Sequence, residues 1–209
     1  MTGLYVRDVS ALFDGRWAAY LSCLPPERAA KAQSFRRDHD SARCVGAWLL
    51  LRDALERSGA ELDRFALRTG EYGKPYLDGG PEFSMSHAGP YAAVAVSDAP
   101  VGVDIEGPRC TLRLAERWFA PAEYEAAAAL EGEAQRVYLQ RLWVAKEAFV
   151  KALGTGLQTP FRSFRVTLDG ASVGLTQELT DLPIRISEFS AQDYRIAVAG
   201  VGAVTREDI

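Results

Sequence analysis

The sequence is poor in the residues that build metal–sulfur sites and disulfide frameworks. Among its 209 residues are three cysteines, Cys23, Cys44 and Cys110, with no CxxC spacing, and only two histidines. An odd, scattered set of cysteines argues against a disulfide framework and against a zinc site. We therefore expect three buried thiols.

The sequence also lacks an excess of positive charge and any long apolar run. Its 24 Lys and Arg against 28 Asp and Glu give a net charge of -4, so no bulk cationic field attracts nucleic acid or an anionic membrane. No stretch approaches the roughly 20 apolar residues of a membrane span, and Arg7 and Asp8 stand where a secretory signal would be apolar. We expect a cytoplasmic monomer with no nucleic-acid or membrane partner, which must hold any polyanionic ligand with a local cluster of cations.

The common phosphate-binding and nucleophile motifs are absent as well. There is no GxxxxGKS loop, no GxGxxG turn and no GxSxG elbow. Gly154-Thr155-Gly156 follows a predicted helix rather than preceding one, so it is interpreted as a helix stop. Metal-assisted phosphoryl chemistry is what remains.

The order of predicted elements occurs twice along the chain. Helices are predicted at residues 25–37 and from Asp40 or Ser41 to Gly59, then at 112–130, with a break at Pro121, and at 134–153. Each pair is followed by short strand-like runs; AAVAV and VGVDI predict one hairpin, and FRVTLDGASVGL another. This order predicts an α+β fold, a pseudodimer of two similar lobes at residues 1–100 and 101–209 with the active site between them, although no residue-level repeat is present.

The stretch VGVDIE, residues 101–106, places two carboxylates on one face of a predicted strand. Side chains alternate along a strand, so Asp104 and Glu106 share a face about 7 Å apart, opposite three apolar side chains. Either this face is simply exposed to solvent, or a cation lies between the two carboxylates. The second interpretation requires a third oxygen ligand from elsewhere.

The helix predicted at 134–153 could supply that ligand. Trp143, Glu147 and Lys151 lie within an arc of about 80°, with Lys146 on the same side. Taken alone, this face could carry no more than i,i+4 salt bridges. Taken with Asp104 and Glu106, Glu147 completes an oxygen-only donor set of the kind that Mg²⁺ prefers, and Lys146 or Lys151 would neutralise a pyrophosphate beside it.

A second group of residues could bind phosphate. Lys74 lies in a Gly-Lys-Pro turn, and His87 is flanked by small residues in SMSHAG. Arg28 and Lys31 are one helical turn apart, and Arg43 begins the next helix. Lone histidines are more often structural and a basic helix face is more often only solvated, but these groups could together form a cationic patch for a phosphomonoester.

These motifs resemble the longer Sfp-type 4'-phosphopantetheinyl transferases. The resemblance rests on GKPYL (73–77), FSMSHAG (83–89), VGVDIE (101–106), RWFAPAEY (117–124) and WVAKEAFVKALGTGLQTP (143–160), in that order and spacing. With the weaker PPERAAKAQSF region it covers most of the chain. The sequence departs from the familiar pattern at Ser84, where relatives often have Asn, and at Arg28, where Lys is familiar.

The resemblance implies transfer of the phosphopantetheine arm of coenzyme A to a serine of an acyl, peptidyl or aryl carrier protein, with release of 3',5'-adenosine bisphosphate. It places the Mg²⁺ ligands, which Mn²⁺ could also use, at Asp104, Glu106 and Glu147, and the pyrophosphate contact at Lys151. It places the remaining coenzyme A contacts at Arg28, Lys31, Arg43, Lys74, Ser86 and His87, with Arg28, Lys31, Arg43 and His87 gripping the 3'-phosphate.

Three points stay open from the sequence. Glu147 is the favoured general base, and Glu106 acting through a water is the alternative. Residues 107–125 could dock an acidic carrier or could form an ordinary amphipathic helix. A Mg²⁺-dependent nucleotide or coenzyme A pyrophosphate hydrolase, and a non-catalytic coenzyme A- or carrier-binding module, are the rival functions.

Overall fold

The computed structural model describes residues 1–209 and has a mixed α+β fold, as predicted. The first half contains strand β1 (Thr2–Asp8), helices α1 (Pro26–Ser34) and α2 (Asp38–Arg57), and strands β2 (Ala66–Thr69), β3 (Pro75–Asp78), β4 (Glu82–Ala88) and β5 (Tyr91–Ser97). The second half contains β6 (Val101–Glu106), α3 (Leu112–Trp118), α4 (Pro121–Ala128), α5 (Gly132–Leu153), β7 (Arg165–Asp169), β8 (Ser172–Thr176), β9 (Arg185–Ala191), β10 (Tyr194–Gly200) and β11 (Val204–Asp208). Short 3-10 turns join several of these elements.

The two halves share their connectivity. In the first sheet β5 lies between β1 and β4, and in the second β10 lies between β6 and β9, with antiparallel pairing throughout these triplets. A long helix precedes the last two strands of each triplet, α2 in the first half and α5 in the second. Strand β11 then returns to the first sheet, where it pairs in parallel with β1.

The two sheets stack on each other, and one long helix covers each outer face. Leu4 and Ala93 of the first sheet share a buried cluster with Val103 and Val198 of the second. The opposite face of the first sheet packs on α2, and that of the second packs on α5. A strand buried on both faces has a continuous apolar run, which explains YAAVAVS in β5.

The predicted hairpin of AAVAV and VGVDI is wrong. Both segments are strands, but β5 pairs with β1 and β4, whereas β6 pairs with β10 in the other sheet. The apolar face of β6, which carries Val101, Val103 and Ile105, packs onto Ala93 and Ala95 of β5. Stacking buries these faces, so the turn at residues 98–100 carries the chain between sheets.

Two further features of the fold bear on the sequence predictions. Cys44 is buried and Cys110 half-buried, but Cys23 is exposed, which corrects the expectation of three buried thiols; all three are free. No helix is long and apolar enough to span a bilayer.

Candidate active site

Strand β6 lies directly against helix α5, and a glycine allows this close approach. A Cβ atom built at Gly102 would lie 2.0 Å from the Ala148 carbonyl oxygen and 2.4 Å from the Ala152 amide nitrogen. Real Cβ contacts do not reach such distances, so any other residue would separate strand and helix. The polar face of β6 is therefore covered by α5 and is not an exposed strand face, and Asp104 is only 6% exposed.

Lys151 of α5 bonds to this face of β6. Its Nζ atom lies 2.6 Å from Asp104 Oδ1 and 3.2 Å from Ser86 Oγ, and the Ser86 hydroxyl also donates to Asp104 Oδ1 at 2.8 Å. Three of the predicted residues, from β4, β6 and α5, thus form one hydrogen-bonded group at the junction of the two halves.

The other two carboxylates of the predicted set lie in the same electrostatic environment. Burial raises the pKa of Glu147 to about 7, with the negative charges of Asp104 and Glu106 adding to the effect and Lys151 opposing it. Burial also raises the pKa of Glu106, against the hydrogen bond from the Gly107 amide to its Oε1 atom at 2.9 Å. A bound cation would offset both the desolvation of these carboxylates and their mutual repulsion.

The side chains do not form a closed metal cage. No group of three or more His, Cys, Asp or Glu side chains converges closely enough to hold a metal ion. The Lys151 ammonium pairs with Asp104 Oδ1 and is the cation nearest to this carboxylate. The donor chemistry of Asp104, Glu106 and Glu147 fits Mg²⁺, which uses few carboxylates and completes its coordination with water and substrate phosphates.

A cleft of about 510 Å³ opens beside Lys151. Five of the predicted coenzyme A contacts line it, and they come from distant parts of the sequence: Arg28, Lys31, Lys74, His87 and Lys151. Apolar side chains, including Phe35, Phe83 and Met85, line the rest. Four basic side chains beside an apolar wall suit a ligand that carries both phosphates and a flat base.

Lys74 and His87 both line the cleft, and the surrounding protein lowers the pKa of each. Lys74 Nζ donates to the Val101 carbonyl at 3.0 Å and lies 3.7 Å from Glu82, and burial lowers the pKa of Lys74 against the pull of that carboxylate. His87 is exposed at the cleft, and partial desolvation by the neighbouring protein, together with the charge of Arg43, lowers the pKa of His87.

Arg28 and Arg43 are held in different ways. The Arg28 guanidinium lies 5.3 Å from the ring centroid of Trp48, a cation–π contact that orients it. Arg43 is hydrogen-bonded to Asp40 and, at 3.2 Å, to the Gly89 carbonyl. Its guanidinium does not line the cleft.

Lys146 is not beside the predicted metal ligands, which corrects the sequence prediction for this residue. Its side chain is fully buried, 2.8 Å from Glu123 Oε1, and it donates to the carbonyls of Phe161 and Phe164. The ammonium also lies 4.2 Å from the Phe164 ring centroid. Only Lys151 of the two lysines remains available to a phosphate.

Several residues of the site were not predicted. The Ser84 hydroxyl accepts a hydrogen bond from the Val103 amide at 3.0 Å, which ties β4 to β6 at one departure from the family pattern. Gly154 ends α5 in a left-handed conformation, as the helix-stop interpretation requires, but Gly154 and Gly156 also line the cleft. Their position three and five residues after Lys151 was the available signal.

Comparisons with known proteins identify the family to which the chain is similar. Residues 13–99 match the family model "4'-phosphopantetheinyl transferase, N-terminal", and residues 100–199 match the "4'-phosphopantetheinyl transferase superfamily". A 4'-phosphopantetheinyl transferase of Bacillus subtilis is 33% identical over 203 residues, which cover 94% of this chain and 89% of that protein. The 4'-phosphopantetheinyl transferase Sfp of Bacillus subtilis strain 168 is 33% identical over 216 residues, which cover 99% and 94%.

Among solved structures, a holo-(acyl-carrier-protein) synthase from Bacillus anthracis overlaps weakly with half of this chain, at a TM-score of 0.43 and 24% identity over 97% of its own length. The family assignment rests on the two family models and on the relatives that span nearly the whole chain. The chain therefore belongs to the 4'-phosphopantetheinyl transferase superfamily.

Proposed function

We propose that the cleft binds coenzyme A and that the chain transfers the phosphopantetheine arm to a serine of an apo carrier protein in a Mg²⁺-dependent reaction. The observation that carries the proposal is that Arg28, Lys31, Lys74 and Lys151 meet around one cleft next to Asp104. The chain as a whole is negatively charged, at -4, but the cleft concentrates basic side chains. A ligand with a pyrophosphate and a 3'-phosphate requires such a local cluster of cations. In this proposal residues 1–100 and 101–209 act as two lobes with the active site between them.

Each group has a distinct role in binding. Lys151 would leave Asp104 for the pyrophosphate, and Lys74 would contact it from the β2–β3 hairpin. Arg28, Lys31 and His87 would hold the 3'-phosphate, with Arg43 behind His87. Asp104, Glu106 and Glu147 would hold Mg²⁺, which neutralises charge on the pyrophosphate oxygens.

The chemical step is attack of the carrier serine oxygen on the β-phosphorus. The bond from that phosphorus to the bridging oxygen breaks, and 3',5'-adenosine bisphosphate leaves. The serine proton passes to a carboxylate oxygen of Glu147, or to a water held by Glu106. Lys151 stabilises the charge that develops on the leaving phosphate.

Helix α3 supplies a candidate docking surface for the carrier. Arg113 and Arg117 on this helix and Arg109 before it are exposed, while Leu112 and Trp118 pack towards the core. An acidic carrier would be attracted to this face. Arg109→Glu and Arg113→Glu should raise KM for the carrier without changing KM for coenzyme A. Added salt should raise the KM of the wild type for the carrier towards the values of the variants.

The proposed function is tested by incubating the protein with coenzyme A, Mg²⁺ and a panel of apo acyl, peptidyl and aryl carrier proteins, with intact mass as the readout. A phosphopantetheine mass gain that EDTA abolishes and Mg²⁺ or Mn²⁺ restores is expected. Coenzyme A cleavage without a carrier would indicate a hydrolase. Binding of coenzyme A without any mass gain would indicate a binding module. The same proposal describes a cytoplasmic monomer, for which light scattering should give a mass near 22.8 kDa.

A further inference from the structure

The side-chain amide of Gln140 links α5 to the end of β6. Gln140 is 3% exposed, and its Nε2 atom donates to the Glu106 carbonyl at 2.7 Å and to the Asp193 carbonyl at 2.9 Å. Both hydrogens of the amide nitrogen are thus used on backbone acceptors. Asp193 lies in the turn between β9 and β10.

These two bonds lie where the sheet stops constraining Glu106. The pair Glu106↔Arg195 is the last rung between β6 and β10, so beyond it no ladder hydrogen bond fixes the strand. The Gln140 amide joins this end of β6 to Asp193, the residue immediately before β10. It therefore takes the place of a further rung.

Gln140 also lies on the same face of α5 as Glu147. Seven residues correspond to about 10 Å along a helix and a rotation of only about 20°. Helix α5 and strand β6 run antiparallel to each other. Gln140 in the first half of the helix contacts Glu106 at the end of the strand, and Ala148 and Lys151 lie against Gly102 near its start. The amide fixes one end of this contact, and the Lys151–Asp104 bond lies nearer the other.

We infer that Gln140 is a positioning residue for Glu106. Its amide fixes the backbone of Glu106, and with it the position of the Glu106 carboxylate relative to Glu147. The inference rests on the proposed function, since the two carboxylates are proposed Mg²⁺ ligands. Groups that orient metal ligands typically change metal affinity or activity 10- to 100-fold when they are removed. Gln140 does not line the cleft, and both hydrogens of its Nε2 atom bond to backbone carbonyls, so its effect would pass through Glu106.

The test compares Gln140→Met with Gln135→Met. Gln135 is a matched control because its Nε2 atom also donates to two carbonyls, those of Ala127 and Leu130, from the same helix but away from β6. Binding of Mn²⁺ is measured by electron paramagnetic resonance with 3',5'-adenosine bisphosphate and with coenzyme A present. We expect at least about 10-fold weaker Mn²⁺ binding for Gln140→Met, and less than twofold for Gln135→Met.

Kinetics give a second readout. Gln140→Met should raise the half-saturating Mg²⁺ concentration for transfer by the same factor and leave KM for coenzyme A at saturating metal within about twofold. If Gln140→Met does not fold by circular dichroism, Gln140→Asn, whose shorter amide cannot reach both carbonyls, replaces it.

Equal Mn²⁺ affinity in Gln140→Met and the wild type would overturn the inference, and so would equal weakening in Gln135→Met. Absence of transfer by the wild type would instead refute the proposed function, and the Mn²⁺ titration would still decide the role of Gln140.

Discussion

The buried ion pair of Lys146 and Glu123 should contribute to folding and not to phosphate binding. Lys146 is fully buried and Glu123 is 2% exposed, and Glu123 also accepts from the Val166 amide at 2.7 Å and the Ala120 amide at 2.9 Å. Removing one partner of such a pair leaves an uncompensated buried charge, which typically costs about 3–5 kcal/mol. Lys146→Met should lower the free energy of unfolding by about this amount.

A second substitution separates the charge from the packing. Glu123→Gln removes the negative charge and keeps one of the two carboxylate oxygens as an acceptor, so either the Val166 amide or the Ala120 amide retains its partner. Loss of both charges is often close to neutral, so Lys146→Met/Glu123→Gln should recover at least about 2 kcal/mol relative to Lys146→Met. The exposed Arg136–Glu133 pair on the same helix is the control, and Arg136→Met should cost less than about 1 kcal/mol.

The assay is urea unfolding followed by tryptophan fluorescence, together with coenzyme A binding by calorimetry. We expect lower stability for Lys146→Met but unchanged coenzyme A affinity in its folded state. A Lys146→Met protein with wild-type stability and at least 10-fold weaker coenzyme A binding would show that this lysine faces the ligand, and would refute the reasoning.

Three further predictions follow from the site. Gly102→Ala should lower stability by about 1–3 kcal/mol or more in urea unfolding, because its Cβ meets helix backbone, whereas Gly200→Ala, with its nearest contact at 3.5 Å, should be tolerated; equal effects would contradict the close-approach argument. Partial desolvation and the charge of Arg43 lower the pKa of His87 below its unfolded value, so the unfolded state binds the proton first as the pH falls. The wild type should therefore lose stability relative to His87→Gln below about pH 6.5, and a constant difference in thermal melts from pH 8 to 5 would count against this. Glu147→Gln should abolish transfer, and if calorimetry still finds Mg²⁺-dependent coenzyme A binding, Glu147 is the base, while loss of that binding would make it chiefly a metal ligand.

The sequence alone determined the local elements and the residues they expose. The alternation in VGVDIE correctly placed Asp104 and Glu106 opposite an apolar face, and α5 and the break at Pro121 were predicted to within a few residues. These features have short periods, so neighbouring residues suffice to define them. The family motifs also pointed to five residues that line one cleft, although they lie up to 123 positions apart, from Arg28 to Lys151.

Only the tertiary structure decided which faces meet. Strands β1 and β11 were not predicted, and β5 and β6 were wrongly predicted to form a hairpin. Strand pairing depends on residues far apart in sequence, which local patterns do not reveal. Lys146 and Lys151 were both predicted to lie beside the Mg²⁺ site, but they are about 140° apart around the helix. Helix α5 is also buried over more of its circumference than one apolar stripe. Lys146 therefore meets Glu123 of α4 in the core, while Lys151, about 1.4 turns further on, meets Asp104 at the cleft.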